Sequence, residues 1–126
     1  GHPLAMAAIV AALDAMEAEG VVENARRVGE EVLGPGLRAL AEKHEVIGEV
    51  RGLGLFWALE LVSDRQRKTP LPAAKMAEVR KALLAAGLLP FIMENRIHVL
   101  PPCVVGAEEV RQALDIYDTV LGQLGV

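Results

Sequence analysis

Few side chains in this sequence have a type and spacing that could do chemistry. The histidines, His2, His44 and His98, are far apart and have no ligand-spaced partners, so no metal site is expected. Cys103 follows two prolines, has no activating base nearby in sequence, and reads as a small, at least half-buried side chain. The segment Arg51-Gly-Leu-Gly54 lies within a strand-like run and not between a strand and a helix, which excludes a dinucleotide loop. No carboxylate pair converges at helical spacing. What remains is Arg51, in EVRGLGLFWALEL (residues 49–61), a permanent charge at the mouth of the most apolar strand. Two readings stay open on pattern alone. Arg51 pairs with Glu49 or Glu60 at a strand edge, worth ~0–1 kcal/mol if exposed, or it offers a two-point guanidinium fork to a planar carboxylate. Gly52 and Gly54 add to the second reading, because strand glycines allow close backbone approach.

The elements that must position this arginine follow from periodicity. Pro3–Glu19 is predicted helical, apolar nearly all round its first three turns, which is the pattern of a helix buried on several sides. Val21–Lys43 carries a second helical period, expected as one helix kinked at Pro35 or as two helices sharing a direction. Ile47–Val50 and Gly52–Val62 read as strands, the latter with Leu53, Leu55, Trp57, Leu59 and Leu61 on one face. Residues 63–72 read as a solvated loop, Ala73–Ala86 as an amphipathic helix, and Leu88–Met93 with Arg96–Leu100 as a hairpin. Ala107–Leu124 is the last helix, with Glu108 and Glu109 where the helix dipole favours them. The order is ααββαββα. The expected fold is an α/β two-layer sandwich with a small, mainly antiparallel sheet, helices on one face, and a long N-terminal helix.

With 126 residues the chain can build one core but not two. Aromatics are only 3%, so that core must be packed from Ala, Val, Leu and Ile. A net charge of −4 with no basic stripe speaks against nucleic acid. The apolar run Leu4–Leu13 is too short to span a membrane, and Gly1-His2-Pro3 supplies no basic leader. A single cysteine fits a cytoplasmic protein. A start inside a helix without an initiator methionine is expected of a fragment.

Three blocks, GHPLAMAAIVAALDAMEAEG, VRGLGLFWALELV and RIHVLPPCVVGAEEVRQAL, occur in an order and spacing that resemble the C-terminal part of the class III aminotransferases of PLP fold type I. The resemblance implies a PLP-dependent parent, a homodimer, acting on a small amino acid and a 2-oxo acid. It implies residues 1–20 as a helix leading from a large domain and 21–126 as the C-terminal small domain. Gly1, His2 and Pro3 match the end of the motif that follows the family's phosphate-contacting threonine. Arg51 matches an arginine that holds the substrate carboxylate, within an Arg-Gly-x-Gly pattern that includes Gly52. Phe91 stands where some amine:pyruvate transaminases carry a second, swinging arginine, which favours a dicarboxylate or ω-amino acid over amines alone. The family's Schiff-base lysine and its cofactor-binding aspartate match no position here. The chain alone is therefore expected to hold no PLP and to be inactive. The rival expectation is a free-standing α/β binding or oligomerisation module without chemistry.

Overall fold

The computed structural model describes residues 1–124. The elements run α1 (Pro3–Ala18), α2 (Val21–Val28), a π-helical turn (Gly29–Leu33), α3 (Gly34–Lys43), β1 (Ile47–Leu53), β2 (Phe56–Asp64), β3 (Thr69–Pro70), α4 (Ala73–Ala85), β4 (Phe91–Met93), β5 (Arg96–Val99) and α5 (Ala107–Gln123). The four main strands form an antiparallel sheet in the order β1-β2-β5-β4, and the two-residue β3 pairs with the far end of β2. This is the expected two-layer α/β arrangement, with β3 added inside the segment read as a loop.

The core fills the space between one sheet face and the helices. Trp57, Leu59 and Leu61 of β2 and Ile97 and Val99 of β5 pack with Leu33 and Leu37, with Val79 and Leu83 of α4, and with Val110 and Tyr117 of α5. Most of these side chains are aliphatic, as the shortage of aromatics requires. Burial pushes the Tyr117 phenol up to about 12.

Four expectations need correction. The strand read over 52–62 is broken by a hairpin turn at Gly54-Leu55, made possible by Gly54 at φ +56°. The turn changes the parity of what precedes it. Gly52 pairs with Trp57 on the covered face, and Leu53 pairs with Phe56 on the open face, 79% exposed. Leu55 drops into the core from the turn itself.

The irregularity placed at Pro35 occurs one turn earlier. Pro35 sits in the first turn of α3, where a missing N–H costs little. The register change is absorbed by the π turn, in which the Gly34 N–H donates to the Gly29 carbonyl five residues back.

Arg65, placed by its composition in a solvated loop, is half-buried. Its Nε donates to the Ile47 carbonyl at 3.0 Å and its Nη2 to the carbonyls of Ala41 and Ile47. It thereby satisfies a carbonyl in the last turn of α3, where a cation is also favoured by the helix dipole. Cys103, expected to be at least half-buried, is exposed.

Helix α1 forms as expected. His2 Nδ1 accepts from the Leu4 N–H at 3.3 Å, and Pro3 occupies the first turn. No residue of α1 is buried against the rest of this chain, however, although its composition is that of a core helix.

The C-terminal helix is tied to α3 by one carboxylate. Asp118 Oδ2 accepts from Lys43 Nζ and Asp118 Oδ1 meets His44 Nε2, both at 2.6 Å. Lys43 first and His44 second hold the Asp118 carboxyl below its usual 3.8. A carboxylate with a lowered folded-state pKa contributes stability that is fully present above its unfolded value and is lost as pH falls through the folded one. Urea midpoints should therefore decline as pH drops below about 4, and Asp118→Asn should flatten that decline. An unchanged acid slope in the variant would remove this pair from the account.

Candidate functional site

Polar groups gather on the sheet face that the helices leave open. The antiparallel register sets Arg51 of β1 opposite Ala58 of β2, Ala58 opposite His98 of β5, and His98 opposite Phe91 of β4. These four residues form one row across the whole sheet. Glu49, Glu60, Arg96 and Met93 form the next row on the same face.

Arg51 does not stand at the mouth of its strand. It lies near the end of β1, between the second row and the hairpin turn. Its side chain is about half exposed. Nη1 meets Glu49 Oε2 at 3.1 Å, and Nη2 donates to Glu60 Oε2 at 3.1 Å. Glu49 foremost, with Glu60, raises the pKa of the guanidinium further above its already high value. Ion pairs this exposed contribute ~0–1 kcal/mol each. A ligand carboxylate offering two-point geometry can replace either one at small cost.

The adjoining cleft has a volume of about 300 Å³ and is lined by Arg51, Gly52, Phe56, Trp57, Ala58, Arg96 and His98. Gly52 belongs to its floor: a Cβ there would lie 2.5 Å from Trp57 Cδ2, so the glycine makes room for the indole on the covered side. Trp57 Nε1 donates to the Gly54 carbonyl at 2.7 Å, and the Arg38 guanidinium lies 4.9 Å from the indole centroid.

Two buried nitrogens on this face, His98 Nε2 and Arg96 Nε, have no hydrogen-bond partner. Buried polar atoms are normally satisfied, which makes these two nitrogens exceptions among the described residues. Phe91 does not line the Arg51 cleft. Its ring packs on His98 at 5.1 Å between centroids, and it bounds a second, mainly apolar cleft of about 270 Å³ with Leu89, Leu100, Pro101 and Tyr117. His98 lines both clefts. The loop beyond β5 is held by Asn24, whose Nδ2 donates to the carbonyls of Cys103 (2.8 Å) and Val105 (3.0 Å).

Of the residues singled out from sequence, Arg51, Gly52 and Phe91 lie in or beside this face. Gly1, His2 and Pro3 are exposed at the start of α1 and line neither cleft. His98 and Arg96 were passed over, because His98 has no partner nearby in sequence. The usable signal was strand alternation: in Arg96-Ile-His-Val99 the two polar residues share one face and Ile97 and Val99 the other.

None of the four lysines lines either cleft. Lys43 pairs with Asp118 and Lys75 with Glu78, while Lys68 and Lys81 are solvent-exposed or at a surface turn. No group of three or more potential metal ligands comes together among the described residues.

This architecture is that of known enzymes. The family model for aminotransferase class-III matches residues 1–121. An acetylornithine aminotransferase of Thermosynechococcus vestitus is 41% identical over 126 residues, covering 98% of this chain and 29% of the relative. An amine transaminase from an uncultivated Pseudomonas species, solved in its PLP-bound form, superposes with a TM-score of 0.89 at 36% identity, covering 98% of this chain and 28% of that one. A taurine:2-oxoglutarate aminotransferase from Bifidobacterium kashiwanohense, in complex with PLP and glutamate, gives a TM-score of 0.86 at 32% identity over 96% of this chain and 28% of its own. The chain thus spans less than a third of the length of these relatives. Sequence and fold, matched from end to end of the sheet and its helices, make this chain a member of the class III aminotransferases.

Proposed function

We propose that this chain is the C-terminal portion of a PLP-dependent aminotransferase that moves an amino group from an ω- or α-amino acid to a 2-oxo acid. The observation that carries the reading is the open sheet face, where family membership and an arginine with replaceable partners coincide. PLP, when bound, supplies the electron sink for amino-group transfer. Gly1, His2 and Pro3, at the start of α1 and outside both clefts, are read as the end of the segment that meets the cofactor phosphate of the neighbouring subunit, while no lysine of this chain lines either cleft. The lysine and the acid that the cofactor needs would come from the rest of the enzyme, a cytoplasmic homodimer in this reading.

What this chain contributes is orientation. Arg51 receives the substrate carboxylate as a two-point fork, releasing Glu49 or Glu60. His98 lines the same cleft from the same row, and Phe91 gives the far end of the row an apolar wall. Residues 1–20 form the linking helix, and 21–126 the small domain.

The reading is tested by comparing the 126-residue chain with a polypeptide that adds upstream sequence comparable to the relatives' length. Mixed with PLP and an amino donor, the short chain should give no transamination and no absorbance band from a specific lysine–cofactor adduct. The long polypeptide should convert donor and 2-oxo acid. Turnover by the short chain would overturn the assignment of the lysine and acid to the rest of the enzyme, and none by the long one with any amino acid of a broad panel would overturn the proposal and favour a binding module.

A further inference from the structure

The hairpin that carries Arg51 rests on a helix through glycines. At Gly29, which opens the π turn, an added Cβ would overlap the carbonyl of Gly54 in the β1–β2 turn. That same carbonyl accepts the hydrogen bond of Trp57 Nε1. At Gly34, one turn further along, a Cβ would lie 2.7 Å from the tip of the Trp57 ring. Helix backbone, hairpin turn and indole are therefore in direct contact, with no side chain between them that could yield. Gly54 is three residues from Arg51, and Trp57 is the direct neighbour of Ala58 in the site row. The π turn, closed by the Gly34 N–H on the Gly29 carbonyl, leaves both glycines facing the hairpin.

We propose that Gly29 is a positioning residue: its backbone contact with Gly54 sets the height of the β1–β2 hairpin, and with it the place of the Arg51 guanidinium in the cleft. This rests on the reading of Arg51 as the carboxylate ligand. A methyl group at position 29 meets backbone, so the turn must move away as a unit. Misplacement of a binding group by about 1 Å can cost on the order of 100-fold in rate.

The test uses the full-length enzyme carrying Gly29→Ala, Arg51→Ala or, as a control, Val79→Ala, a buried side chain on α4, a helix that packs mainly on α5. Gly29→Ala should lower kcat/KM for carboxylate-bearing amino donors by about 10- to 100-fold, mostly through KM, and spare a carboxylate-free amine. Val79→Ala should lower thermal stability and leave the ratio between the two donors unchanged. Trp57, the one tryptophan of the chain, supplies a second readout in the 126-residue protein: its emission should shift in Gly29→Ala and not in Val79→Ala.

Equal losses for both donors, or an unmoved emission, would overturn the positioning role while a selective Arg51→Ala defect left the ligand role standing. An Arg51→Ala enzyme with unchanged donor preference would overturn both. If Gly29→Ala does not accumulate as folded protein, Gly34→Ala, whose methyl would lie 2.7 Å from the indole tip and 3.0 Å from the Gly29 carbonyl oxygen, should give the same selectivity to a smaller extent.

Discussion

Replacing Arg51 by alanine in the full-length enzyme is expected to lower kcat/KM for carboxylate substrates by roughly 10–100-fold, the equivalent of about 1.5–3 kcal/mol for a hydrogen bond to a charged group. The loss should fall on both half-reactions that use a carboxylate in this cleft. Arg51→Lys should recover only part of it, because an ammonium cannot form the two parallel bonds of a planar fork. The structure adds a second arm to the experiment. Arg51 is already held by Glu49 and Glu60, each at 3.1 Å, so substrate competes with internal carboxylates. Removing one competitor by Glu49→Gln should lower KM modestly if the guanidinium stays in place. A rise in KM would show instead that Glu49 holds the arm in its working position. Unchanged kinetics of Arg51→Ala with every carboxylate substrate would make Arg51 a strand-edge ion pair, the bland reading that its exposure also allows.

Much of the architecture was legible because it follows from local periodicity. The helices over 3–19, 73–86 and 107–124 and the hairpin over 88–100 rest on apolar spacing and on glycines and prolines at their ends. What periodicity could not place was the turn of the first hairpin. In VRGLGLFWALELV the apolar residues alternate without interruption through Gly52 and Gly54, so either glycine could be the corner. The choice is made by tertiary contact: Gly54 can approach Gly29, and Gly52 must leave room for Trp57. Arg65 was misjudged for a related reason. Its neighbours Asp64, Gln66, Arg67 and Lys68 are polar, but the carbonyls it satisfies belong to α3 and β1, about 18 to 24 residues away.

The site was legible only in part. Arg51 drew attention as a charge in an apolar run, and Gly52 as a glycine in a strand. Arg96 and His98 needed the strand order, since only the pairing of β5 with β2 brings them beside Arg51. The row from Arg51 to Phe91 joins two residues 40 positions apart and is a property of register, which a single sequence does not display.

The largest effect on stability should come from Leu59→Ala, and its informative partner is Leu13→Ala. Both residues are leucines in strongly apolar segments, and composition alone would rank them together. Leu59 is 0% exposed, at the centre of β2 between β1 and β5, while Leu13 on α1 is 59% exposed. Truncating Leu59 removes three buried carbons and leaves a cavity that the sheet and helices can only partly close, a cost of about 2–5 kcal/mol. For a domain of ordinary stability, about 5–15 kcal/mol, that is a Tm lower by on the order of 10 °C. In the 126-residue chain Leu13→Ala should change the unfolding free energy by less than about 0.5 kcal/mol, since the side chain is mostly exposed and alanine is the better helix former. In the full-length enzyme the same substitution should become destabilising, because a helix apolar on all sides requires partners that this chain does not supply. A Leu13→Ala change that is equally neutral in both proteins would mean that α1 is solvent-facing in the enzyme as well, and its apolar composition would then have no packing explanation.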